Sequence, residues 1–217
     1  MRNFLTDMAI RLIFNKTEET LTGRSHFWGC PDLPDSLEYP EVPVNEDGEL
    51  YYEPLAFLCQ IRCEDLAPFD REGLLPHCGM LYFFAAMDYF LGQSDAMLSP
   101  GMGEWNPQHF KVLYTPSCEN LHTHTITYSD GSEFGLPAEK ISFERCEDFS
   151  EDFRLLGKPW LDEVREQYPD YVSLLQIDEN DEWNLRFYDC GMLNFLIKPQ
   201  DLAAGAFNKA LCHLYSF

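Results

Sequence analysis

Basic residues are scarce in this chain: 15 lysines and arginines stand against 37 aspartates and glutamates, for a formal charge of -22 at pH 7. Neutralising the phosphates of nucleic acid takes clustered Lys and Arg, and docking on anionic lipid takes the same, so both partner classes are excluded. Long apolar runs are missing too. The longest, residues 80–91, is interrupted by Asp88 and falls short of the roughly 20 residues that span a bilayer. Met1-Arg2-Asn3-Phe4-Leu5-Thr6-Asp7 has no apolar stretch of the secretory kind, which leaves a cytoplasmic address as the expectation.

Catalytic signatures are absent as well. The chain has no Gly-x-Ser-x-Gly elbow, no phosphate-binding loop, no Gly-x-Gly-x-x-Gly turn and no His-Glu-x-x-His helix. Its eight cysteines form no Cys-x-x-Cys or Cys-x-x-His pair, and the closest spacing, Cys59 to Cys63, is not that of a structural zinc site. A chain of 217 residues buries roughly 70% of its unfolded surface and needs no disulfide staples. The cysteines are therefore expected to be reduced, buried, small apolar residues. No cofactor is called for, and a non-catalytic role is favoured over an enzyme whose site is assembled from distant loops.

What the chain does have is aromatic and turn-forming residues. Seventeen Phe and eleven Tyr, set in alternating or continuous apolar runs, favour strands over long amphipathic helices, and fourteen Pro with thirteen Gly call for many turns. Strands are expected at 9–14, 54–61, 80–85, 109–114, 121–128, 141–144, 171–177, 183–188, 192–197 and 210–217, with a short helix in 199–207 capped by Asp201. Asp47-Gly48 is expected to form a tight turn.

One tetrapeptide occurs twice: Cys78-Gly79-Met80-Leu81 returns as Cys190-Gly191-Met192-Leu193. Upstream of each stands a Gln-Ile pair, Gln60-Ile61 and Gln176-Ile177, and farther upstream a Gly-x-Pro, Gly29 to Pro31 and Gly157 to Pro159. Three landmarks in the same order point to an internal duplication. The expected fold is α+β, mostly antiparallel β with short helices. It forms a single domain over 1–217, built from two related halves at approximately 25–115 and 150–217. The glycine before each apolar run points to a close backbone approach or a bulge.

Gln60 and Gln176 each place an amide inside an apolar strand. A buried amide must find hydrogen-bond partners, so each is expected to tie a neighbouring loop backbone to its strand. Together with Trp28 they are the candidate ligand-binding residues of a groove between the halves. The alternation of 121–128 sets His122 and His124 on one strand face, a spacing that chelates a metal when a third ligand is supplied and is otherwise a half-exposed polar face.

The segments 25–34 (Ser25 to Pro34), 54–61 (Pro54 to Ile61) and 75–84 (Leu75 to Phe84) are followed in the second half by Leu155 to Pro159, Leu174 to Asp178, Asp189-Cys190-Gly191 with Phe195, and Asp201-Leu202 with Phe207. In that order they resemble the YwqG-like family, a group of bacterial domains of unknown function. The chain departs from the family's pattern at Trp28-Gly29, Tyr39-Pro40 and Phe187-Tyr188-Asp189. The resemblance implies one mostly β, α+β domain with two related halves and brings no reaction, cofactor or catalytic residue with it.

The charge reads as solubility or as an acidic surface that docks a basic protein. The leading expectation is a cytoplasmic protein-binding module, with immunity-type neutralisation of a basic toxin as one form. The alternative is a metal- or small-ligand-binding protein, or an enzyme, using His122 and His124 or the groove between the halves. The irregular segments 25–53, 92–107 and 144–170 are the expected seat of function.

Overall fold

Apolar runs too short for a membrane and too continuous for an amphipathic helix are satisfied by strands buried on both faces, and that is what the chain builds. The computed structural model describes residues 8–93, 96, 98–147 and 150–217. Its strands are β1 (Met8–Asn15), β2 (His26–Phe27), β3 (Asp32–Pro34), β4 (Glu41–Glu46), β5 (Glu49–Pro54), β6 (Ala56–Arg62), β7 (Met80–Ala85) and β8 (Gly103–Glu104). After them come β9 (Phe110–Thr115), β10 (Leu121–Thr123), β11 (Glu139–Glu147), β12 (Arg154–Leu155), β13 (Val172–Ile177), β14 (Gly191–Ile197) and β15 (Leu211–Ser216). Eleven of them form one sheet in the order β8-β15-β14-β13-β12-β1-β11-β2-β6-β7-β9, antiparallel throughout and curled into a half-barrel. β10 pairs with β3, and β4 pairs with β5, as two-stranded flaps.

The fold is not the α+β one expected from the sequence. The protein is mostly β, with about 12% of the chain helical. The α-helices among the described residues are α1 (Cys63–Leu66), α2 (Asp162–Gln167) and α3 (Pro199–Ala203), each well below the roughly 12 residues at which a helix begins to hold by itself. They act as connectors. In α3 the cap is Lys198 rather than Asp201, because Pro199 takes the first helical position, where its missing N–H costs nothing.

Strand alternation sorts the core. Leu81, Phe83 and Ala85 of β7 share one core with Leu193, Phe195 and Ile197 of β14, and the rings of Phe83 and Phe195 meet edge to face at 5.4 Å. The opposite face of each half is covered separately. Met80, Tyr82 and Phe84 lie under Leu33, Val42 and Val44, whereas Met192 and Leu196 lie under Leu161, Val164 and Tyr168 of the α2 region.

A local arrangement occurs in both halves. β2 pairs with β6 so that His26 opposes Gln60, and β12 pairs with β13 so that Arg154 opposes Gln176. The register of β6 shifts between Phe57 and Cys59 and that of β13 between Ser173 and Leu175, the same distance before each glutamine. Beyond β2 the backbone turns through left-handed Trp28 and Gly29 (φ 58° and 73°), and beyond β12 through left-handed Leu156 and Gly157 (φ 62° and 79°).

Two expected strands differ. The 121–128 segment leaves the ladder after Thr123, because the His124 amide is taken by the Pro31 carbonyl and Ile126 is drawn into the core. The 183–188 segment is not a strand: Trp183 ends a 3-10 turn, Asp181–Trp183, which the Asn180 side chain caps by accepting from the Glu182 and Trp183 amides, and Leu185 makes only an isolated bridge to Asn180.

Candidate functional site

Asp47 and Gly48 adopt left-handed φ values of 52° and 89°, the combination a two-residue hairpin turn requires, and so join β4 to β5. This hairpin stands beside β6 with the segment after β7 and the turn at 128–136. Between them lies a cleft of about 720 Å³. Val42, Leu55, Ala86, Leu98, Phe134 and Trp183 supply its apolar lining, and Glu46, Glu53, Asp88, Asp130 and Glu133 its carboxylates. No Lys, Arg or His is among the described residues that line it.

Two of these carboxylates are held firmly. Glu53, itself buried, accepts hydrogen bonds from the Ser129 amide at 3.1 Å and from the Ser129 hydroxyl. Asp88 accepts from the Tyr128 hydroxyl at 3.0 Å. Burial pushes the Asp88 carboxyl above the ordinary carboxylate range; the Tyr128 hydrogen bond opposes this and the charge of Glu53 adds to it. Burial also raises the Tyr128 phenol, and the negative charge of Asp88 raises it further. Carboxylates short of water, with no cation among the described lining residues, favour a positively charged group arriving from outside.

The residues singled out from sequence lie elsewhere. Trp28 is fully buried, packed edge to face on Phe27 at 4.9 Å and Trp183 at 5.6 Å and tilted against Phe134 at 5.7 Å, and its indole N–H has no hydrogen-bond partner among the described residues. It supports two cleft residues from behind and does not line the cleft. Gln60 accepts from the Asp32 amide at 2.8 Å and donates to the Arg24 carbonyl at 3.0 Å and to Asp32 Oδ2 at 2.7 Å. Gln176 accepts from the Trp160 amide at 3.0 Å and from Arg154 at 2.8 Å, and donates to the Asp152 carbonyl at 2.9 Å. Each amide ties the loop that follows its neighbouring strand.

His122 and His124 are exposed. His122 Nε2 lies 3.8 Å from Asp35, and His124 stacks on Tyr39 at 5.0 Å. Among the described residues no three His, Cys, Asp or Glu side chains converge as a metal site.

The cysteines are all free, but the expectation that they are buried holds for only part of the set: Cys59, Cys63, Cys146 and Cys212 are buried while Cys78 and Cys190 are exposed. In each Cys-Gly-Met-Leu copy it is the glycine that packs. A Cβ on Gly79 would overlap the Thr115 carbonyl and sit 2.8 Å from Pro116; one on Gly191 would overlap the Phe187 carbonyl and sit 3.0 Å from that of Tyr215.

A family described as "Domain of unknown function (DUF1963)" matches residues 25–157 and 147–215. The chain belongs to this family. Every residue that lines the cleft falls inside the DUF1963 match. No curated protein matches the chain.

Sequence reasoning missed the cleft because its walls come from four separate stretches. Two of the three expected functional segments contribute, through Val42, Val44 and Glu46 and through Gln93, Ala96 and Leu98; the described part of 144–170 does not. The one signal in the sequence was Asp88, the lone carboxylate inside the apolar run 80–91.

Proposed function

We propose that this DUF1963 domain is a non-catalytic binding module whose acidic cleft receives a basic segment of a protein partner. The observation that carries the reading is the charge of the lining: five carboxylates beside an apolar floor, with no basic side chain among the described residues of the lining. A unit charge 4 Å from another gains about 1 kcal/mol in water and about 4 kcal/mol at the effective dielectric near a protein surface, so a cleft serves a cationic side chain better than an open face does. The net charge of -22 steers basic partners toward the molecule. Immunity-type neutralisation of a basic toxin in the cytoplasm is one form of this role. The paired glutamine ties and matching bulges support reading the two halves as copies of one unit, in the manner the YwqG-like resemblance implies.

The test is titration of the protein with a fluorescent hexa-arginine peptide at low and moderate salt. The Glu53→Gln/Asp88→Asn double variant is expected to weaken binding about tenfold, against little change for a Glu163→Gln/Glu166→Gln control on the exposed side of α2. Equal effects of the two variants would reduce the binding to general charge attraction and overturn the cleft.

A further inference from the structure

A smaller cavity of about 290 Å³ adjoins the cleft, lined by Tyr89, Phe90, Gly92, Asn184, Arg186 and Tyr188. The two share a partition, the 3-10 turn Asp88–Leu91. Asp88 and Leu91 line the cleft, and Tyr89 and Phe90 line the smaller cavity; Trp183 and Asn184 divide the same way. The partition is pinned in place: the Arg186 amide donates to the Phe90 carbonyl at 2.9 Å, and the Asn184 side chain donates to the Leu91 carbonyl at 3.3 Å.

Tyr89 and Tyr188 remain exposed although aromatic rings of this size stabilise a protein most when covered. Their centroids stand 6.2 Å apart at 49°, and Phe90 touches both, at 5.4 Å and 5.6 Å. Tyr188 is presented from a left-handed backbone (φ 65°), a conformation that costs a bulky residue free energy. Arg186 is paired with Asp181, which leaves the slot close to neutral.

We propose that this aromatic slot is the apolar subsite of a peptide-binding groove. A Lys or Arg of an extended basic segment enters the cleft, and an apolar residue a few positions along the same segment seats against Tyr89 and Tyr188. The inference rests on the reading of the cleft as a cation site. Charge complementarity selects a basic occupant and repels nucleic acid. Two subsites of unlike chemistry, separated by one turn of backbone, match a chain whose successive side chains point in different directions. Exposed tyrosines over a packed aromatic floor are the kind of anchor on which interface energy concentrates.

The experiment selects a displayed library of random heptapeptides on the full chain and then measures synthetic copies of the enriched sequences by fluorescence anisotropy. The expected sequences carry Lys or Arg and an aliphatic or aromatic residue at a fixed spacing. Replacing that apolar residue by Ser should weaken binding to the wild-type protein about tenfold, and Tyr188→Ser should do the same, with little further loss when the two are combined. Tyr89→Ser serves as the second variant, and thermal melts of both check the fold. Enriched basic peptides with no apolar preference, or no response to either tyrosine variant, would overturn the slot and leave the cleft standing. Enriched peptides without a basic residue, or no enrichment, would overturn the cleft reading and the slot with it.

Discussion

Replacing Gln60 by leucine separates the work of the amide from that of the apolar strand around it. Leucine is close to glutamine in shape, so the substitution opens little cavity, but it removes three hydrogen bonds from a fully buried position. The Asp32 amide and the Arg24 carbonyl lose their partner, at about 1–3 kcal/mol for each orphaned neutral group. The Asp32 carboxylate loses less, because the Gly23 amide at 2.8 Å and the Thr123 hydroxyl at 2.6 Å still donate to it. The sum is about 3–5 kcal/mol, a large part of the roughly 5–15 kcal/mol that stabilises a domain. With a urea slope of about 2–3 kcal/mol per molar, the midpoint should fall by roughly 1–2 M, read by tryptophan fluorescence at pH 7. Gln60→Glu keeps one acceptor, loses both donors and sets a carboxylate beside Asp32, so its loss should be larger at pH 7 than at pH 4. Gln176→Leu should match Gln60→Leu, since it strands the Trp160 amide and the Asp152 carbonyl and removes one acceptor from buried Arg154. A Gln60→Leu protein within 1 kcal/mol of wild type would refute the claim that the amide holds the loop.

Asp178 gives a pH signature of known sign. Burial pushes its carboxyl from 3.8 to about 6, the Glu179 amide opposes this, and the charges of Glu151, Asp152 and Glu179 add to it. Because the folded value lies above the unfolded one, its contribution to stability is greatest below about pH 4, is lost as the pH rises to about 6 and is flat beyond. Asp178→Asn should therefore gain stability at pH 7, by about 1 kcal/mol once the full shift of about 3 kcal/mol is discounted for partial exposure, and gain nothing at pH 4. Urea titrations giving equal differences at both pH values would contradict this. Gly191→Ala drives a Cβ into two backbone carbonyls that cannot rotate away and should cost about 1–3 kcal/mol in the same assay, whereas Cys190→Ser at the exposed neighbour should stay within about 0.5 kcal/mol. A neutral Gly191→Ala would show that the motif's glycine is not a packing requirement.

Strands β6, β7, β13 and β14 were legible because each is an apolar run bounded by turn residues, and burial on both faces follows from that pattern alone, whereas β15 was legible from its alternation. The glutamine ties were legible for a related reason: an amide inside such a run has few ways to be satisfied. The strand expected at 121–128 went wrong where alternation alone carried it. Alternation describes which residues share a face, but pairing needs a partner, and past Thr123 the backbone is bonded to Pro31 and to its own turn at Ser132. The short helix in 199–207 was legible from Pro199 and the alanines after it, and Gly205, left-handed at φ 65°, marks how soon it stops; the α+β label failed because helices this short only connect strands. The cleft was beyond reach, since Glu53, Asp88, Tyr128 and Trp183 are brought together only by sheet order.

The two halves solve one problem in different ways, and the difference locates the candidate site. Each must cover the second face of its central strands, since Tyr82 and Phe84 on one side and Met192 and Leu196 on the other cannot be left in water. Between Pro159 and Gln176 the chain does this with α2, which seats Leu161 and Val164 directly on Met192 and Leu196. Between Pro31 and Gln60 it uses β3 and the β4–β5 hairpin instead. A hairpin covers with one face, through Val42 and Val44, and its edge leaves room for Glu46 and Glu53 to meet Asp88 and the 128–136 turn. The features present in both halves, the glutamine tie and the packed glycine, therefore hold the fold, and the feature present in one alone makes the cleft. Removing the hairpin's charge should leave the ties intact, so binding and stability are separable by mutation in this domain.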